Sequence, residues 1–108
     1  MTLPPSGTSE LDELIGLQSG PVLVALLNAD DTASVALDEA LQAVENRSAQ
    51  LHLLRLPFAD YAEWARTHGV YGYPALVLFD DGTPRGRRLG RLTAAEIEAW
   101  LARADARR

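Results

Sequence analysis

Asp30, Asp31, Thr32 and Ser34 fall within one short run, Asp-Asp-Thr-Ala-Ser, which gathers two carboxylates and two hydroxyls. Adjacent carboxylates can form an acidic patch for an arginine-bearing peptide. Their plainer role is to cap a helix, whose N-terminus favours negative charge. Tyr71 and Tyr73, two apart, can make an aromatic platform, or simply pack at the margin of a core. Arg85, Arg87, Arg88 and Arg91 cluster late in the chain. They can hold an acidic partner, or guard an exposed sheet edge against aggregation. His52 and His68 are isolated, so no metal site is expected. Trp64 and Trp100 lie on apolar helix faces and read as packing residues. Asn46-Arg47-Ser48 fits a glycosylation pattern, which carries little weight without a secretory signal. The chain has no cysteine. Disulfides, thiolate nucleophiles and cysteine-ligated metals are thereby removed together.

The elements that must position these residues belong to a chain of 108 residues, enough for one domain with its own core. Apolar residues make up 47% and charged residues 23%, a globular balance that argues against disorder. The net charge of −5 makes a phosphate backbone a poor partner, so no nucleic acid is expected. Met1–Gly7 shows no basic segment followed by an apolar run, and no stretch approaches membrane-spanning length. The expectation is a cytoplasmic protein without membrane contact.

Residues 1–7 read as a lead-in. Thr8 or Ser9 can cap a first helix with Leu11, Leu14 and Ile15 as its apolar stripe, stopped by Gly20-Pro21. Val22–Leu27 is a solid apolar run of strand length, expected to be central and parallel. After the polar loop at Asn28–Thr32, a helix to about Glu45 carries Leu37, Leu41 and Val44 on one face. Leu51–Leu56 is the next strand, ended by Pro57. Asp60-Tyr61-Ala62-Glu63 resembles a capping box opening a short helix that Gly69 closes. Pro74 stands before the run Ala75–Phe79, whose lack of alternation suits a strand covered on both faces. Asp81-Gly82 then turns a hairpin into Arg85–Leu89. Thr93-Ala94-Ala95-Glu96 is the best capping box in the chain. It opens a helix with Ile97, Trp100, Leu101 and Ala104 on one face and Arg103, Arg107 and Arg108 at its negative end. Two successive strand–helix–strand connections imply parallel pairing, and the hairpin adds antiparallel strands. The reading is an α/β fold, a mixed sheet between helices.

This order, with Gly69-Val70-x-Gly72-x-Pro74 ahead of the penultimate strand, resembles the thioredoxin fold over about residues 9–105. The resemblance implies a three-layer α/β/α sandwich with a cis bond at Tyr73–Pro74 and a first strand that is short or missing. It also places Asp31 and Ser34 where the family has its attacking and resolving thiols. Ala25 falls in the place of its buried carboxylate, and Leu27 in the place of a tryptophan. Dithiol–disulfide exchange is excluded by the absence of thiols. The implied surface is a groove between Asp30–Thr32, Tyr73–Pro74 and the loop at Gly90. There a protein or extended peptide can pair with the main chain of Tyr73. Val70-Tyr71-Gly72-Tyr73-Pro74-Ala75 is also similar to the cysteine-free thioredoxin-like accessory proteins of hydrogenase maturation, which implies a chaperone role. No cofactor is implied, and the expected state is a monomer or weak dimer. Two alternatives stand beside this reading. One is a glutathione-binding or transferase-like enzyme using Ser34 or Asp31. The other is a structural or oligomerising subunit docking through its sheet edge or tyrosines.

Overall fold

The structure is a computed structural model describing residues 8–48 and 50–106. The lead-in at 1–7 and the terminal Arg107 and Arg108 lie outside the described residues. The helices are α1 (Thr8–Leu17), α2 (Thr32–Arg47), α3 (Ala62–Thr67) and α4 (Ala94–Ala106). The strands are β1 (Pro21–Leu27), β2 (His52–Pro57), β3 (Ala75–Asp80) and β4 (Thr83–Leu89). They form one sheet in the order β2-β1-β3-β4. The unalternating apolar runs are the two inner strands, β1 and β3. Every residue of β3 is buried, as is Val22–Leu26 of β1. Strands covered on both faces have no use for alternation.

Each face of the sheet has its own core. Leu11 and Ile15 of α1 and Trp64 and Ala65 of α3 pack with Val22, Val24, Val77 and Phe79. Leu37, Leu41 and Val44 of α2 and Ile97 of α4 pack with Leu23, Ala25, Leu76 and Leu78 on the other. The alternation along β1 and β3 assigns each residue to one layer. The result is a three-layer α/β/α sandwich.

One expectation about strand direction is corrected. β1 and β2 pair in parallel, with Leu26 opposite Leu56, but β3 runs antiparallel to β1, with Leu26 opposite Ala75. The cause lies in the connection. A return crossover must carry the chain back along the whole strand, which takes a dozen residues or more, usually a helix. The 6-residue α3 is only about 9 Å long, against roughly 20 Å for a strand such as β2. The chain therefore re-enters the sheet at the end where β2 left it. That choice brings the C-terminal ends of β1, β2 and β4 and the start of β3 to one edge of the molecule.

The caps divide in the same way. Thr93 and Glu96 form the reciprocal box expected of them, Thr93 N–H donating to Glu96 Oε1 at 2.9 Å and Glu96 N–H to Thr93 Oγ1 at 3.1 Å. Asp60-Tyr61-Ala62-Glu63 forms no such box. Asp60 lies in a 3₁₀ turn, Phe58–Asp60, and Tyr61 occupies the N-cap with no side-chain bond. Thr8 and Ser9 lie within α1, not before it.

His68 closes α3, with its ring centroid 4.3 Å from that of Trp64 and 5.3 Å from that of Phe79. Burial holds its imidazole below the ordinary value, while the Asp12 carboxylate opposes that shift. The unfolded chain then takes up the proton first. This contribution to stability is full above the unfolded value of about 6.5 and is lost as pH falls below it. Thermal scans between about pH 7.5 and 5.5 should show a falling Tm that His68→Gln makes flatter. An unchanged slope in the variant would assign the effect elsewhere.

Candidate functional site

The loop from β1 into α2 is held by its own polar side chains. Asp31 has extended backbone at the N-cap, and its Oδ2 accepts from Ser34 N–H at 2.9 Å. The Ser34 hydroxyl donates to the same oxygen at 3.1 Å and accepts from Asn28 N–H at 3.0 Å. Asn28 Oδ1 accepts from Asp30 N–H at 3.0 Å. Ser34 is 1% exposed. Its hydroxyl is thus engaged on both sides and closed to solvent, with no base beside it other than the capping carboxylate. This geometry gives no support to Ser34 as an activated group for a thiol ligand. Asp30 and Thr32 are exposed, while Asp31 is half-buried and turned into the cap.

Across the edge from this loop, the Tyr73–Pro74 peptide bond is cis. Gly90 N–H donates to Pro74 C=O at 2.8 Å, tying the end of β4 to the start of β3. Gly90 needs positive φ to do so, at 85°, and a Cβ there would meet open space. The Tyr73 N–H and C=O make no hydrogen bond among the described residues. Pro74 is buried; Tyr73 is 46% exposed and Tyr71 75%.

The Tyr73 ring meets Phe58 edge-on, centroids 5.4 Å apart and planes at 80°. These two rings, with Leu27, Ala29, Pro57 and Ala62, line an open apolar cleft of about 530 Å³. A second cleft of about 360 Å³ shares Leu27, Asn28, Ala29 and Pro57 and continues past Val35 to Asp38 and Arg55. The Arg55 guanidinium bonds Asp38 at 2.6 Å and Glu45 at 3.2 Å, which clamps α2 over β2. The structure thus joins Tyr73 to the first residues of the β1–α2 loop. Asp30, Asp31, Thr32, Tyr71 and Gly90 do not line that cleft. The aromatic pair is Phe58–Tyr73 and not Tyr71–Tyr73.

Phe58 was missed in the sequence. An aromatic directly after the strand-ending Pro57 was its only signal, and one that serves equally well for core packing. Among the described residues, no cluster of His, Asp or Glu has the makings of a metal site. No helix among them is long and apolar enough to cross a membrane.

Solved structures with this arrangement include a thioredoxin variant from Halobacterium salinarum, at TM-score 0.81 and 20% identity over 94% of this chain and 88% of that one. The fold is that of thioredoxin. Chloroplastic thioredoxin z matches at TM-score 0.78 and 15% identity over 98% of both chains. A chain from a study of thiol resolution in yeast mitochondrial 1-Cys peroxiredoxin via glutathione/thioredoxin systems matches at 0.80 and 16%, over 91% of both. Neither a protein-family model nor a curated protein matches the sequence. At these identities the likeness is one of fold. The thioredoxin fold here stands without the thiols that disulfide exchange requires.

Proposed function

We propose that this thioredoxin-fold protein is a non-redox binding protein, acting as a chaperone or accessory factor on an extended segment of another protein. The observation that carries this reading is the unpaired main chain of Tyr73 beside the Phe58–Tyr73 cleft. An extended peptide laid along Tyr73 gains main-chain hydrogen bonds in the manner of an added strand, and the cleft takes one of its apolar side chains. Asp30 and Thr32, exposed on the neighbouring loop, form a polar rim. The similarity of Val70–Ala75 to cysteine-free accessory proteins of hydrogenase maturation supports the chaperone role.

Capture of partners from the native host tests this. Tyr73→Ala, which removes the ring while keeping the main chain, is expected to weaken capture by about tenfold, or 1.4 kcal/mol. Arg87→Glu, whose side chain lies over Gly69 at the end of α3, is expected to leave it unchanged. The reverse pattern would move the site to the arginines. In the insulin assay with dithiothreitol, turnover is expected to equal the uncatalysed control.

A further inference from the structure

A second opening lies at the far end of the β3–β4 hairpin, and it has the opposite chemistry. Leu78 pairs with Gly86 and Phe79 with Pro84, so Arg85 is the extra residue of a β-bulge. Strict alternation would turn Arg85 toward the layer of α1 and α3. The bulge aims it instead to the α4 side, where it lines a cleft of about 300 Å³ with Pro84, Trp100, Arg103 and Ala104. Bulges re-aim single side chains in this way and gather next to functional sites. Trp100 lies over Gly86, its Cζ2 3.6 Å from where a Cβ would stand, and it forms the floor of the cleft.

The charges around this cleft have no match within it. Arg47 and Arg55 have carboxylate partners, whereas Arg85 and Arg103 have none among the described residues. The Trp100 indole N–H also has no acceptor there. Asp80 lines the adjoining cavity with Arg85, but it does not line this one and has contacts of its own. The other clustered arginines are differently placed. Arg88 acts on Glu96, Arg91 shares a shallow cleft with Glu39 and Glu96, and Arg87 lies over Gly69.

We propose that the bulge-directed Arg85, with Arg103 and Trp100, binds a carboxylate side chain of an acidic partner segment lying along the open edge of β4. Two guanidiniums match a carboxylate's geometry, and the apolar floor suits the methylene stem of a glutamate. β4 is an outer strand, so its free edge offers main-chain pairing to the same segment. A phosphate-rich ligand fits less well. A phosphate group has no methylene stem to lie on the Trp100 floor beside the two arginines.

The test uses the full chain and a fluorescein-labelled peptide of about ten residues alternating glutamate and valine. Parallel arms use the lysine–valine counterpart, inorganic phosphate and phosphatidylserine vesicles. The glutamate peptide is expected to bind, to move the Trp100 indole N–H resonance, and to bind more weakly as salt rises. Arg85→Gln with Arg103→Gln, folded by circular dichroism, should weaken binding about tenfold. Arg66→Gln, on α3, should leave it unchanged. The proposal is overturned if the glutamate peptide does not bind at millimolar concentration. It fails equally if the double variant binds like wild type, or if phosphate or vesicles bind while the peptide does not.

Discussion

Alanine in place of Trp64 is expected to lower the unfolding free energy by about 3–5 kcal/mol, the range for emptying a buried aromatic site. Trp64 is 3% exposed and belongs to the core between α1, α3 and the sheet. Its ring lies 5.9 Å from that of Phe79, and its Nε1–H donates to Asp12 Oδ1 at 2.7 Å, which joins α3 to α1. A helix as short as α3 has little stability of its own and depends on such packing. For a domain stable by about 5–15 kcal/mol, this loss is a large fraction of the total. Urea titration should show a lower midpoint with an unchanged slope. Trp64→Phe, which keeps most of the ring and loses the hydrogen bond, should cost clearly less. A loss below about 1 kcal/mol for the alanine variant would mean that α3 is held by something else.

Cysteines at positions 31 and 34 together are expected to give this scaffold dithiol–disulfide exchange. The Asp31 and Ser34 side chains meet at 3.1 Å at the start of α2, so thiols at these two positions would face one another. A helix N-terminus lowers a thiol's pKa and favours the reactive thiolate. The variant Asp31→Cys, Ser34→Cys should therefore reduce insulin with dithiothreitol at a rate several-fold above the control, which wild type is expected to match. Loss of the Asp31 cap would cost about 0.5–2 kcal/mol, which the fold can bear. Ala25, fully buried where the resemblance to thioredoxins implies a carboxylate, offers no proton acceptor, so the rate is expected to stay below that of a thioredoxin. Two titratable thiols without turnover would mean that the cleft has changed along with the thiols.

The fold was legible wherever one residue type dictates a backbone state. Asp81 and Gly82 adopt φ of 51° and 80°, the positive values the hairpin turn requires, and Asp-Gly announces them. Thr93 and Glu96 signal their helix by reciprocal bonding, and the apolar runs of β1 and β3 show their double burial. Strand direction was hidden because it depends on how far α3 carries the chain, a matter of length and not of residue type. The box at Asp60 failed because the chain entered a 3₁₀ turn one residue after Pro57, which leaves Asp60 outside the cap position. Within the candidate site, Tyr73 and Pro74 were visible through proline's special chemistry. Phe58 and the aim of Arg85 were not. The first depends on two loops meeting, and the second on a single extra residue that two-residue periodicity cannot register.

The hairpin between the two openings has a mechanical consequence. β3 is buried along its full length and tied to β4 at both ends, by the turn at Asp81-Gly82 and by the bond from Gly90 to Pro74. Six residues of strand hold Tyr73 and Arg85 roughly 15–20 Å apart. It works as a stiff spacer: the cleft at Tyr73 and the cleft at Arg85 keep a fixed separation, and neither can shift along the sheet without the other.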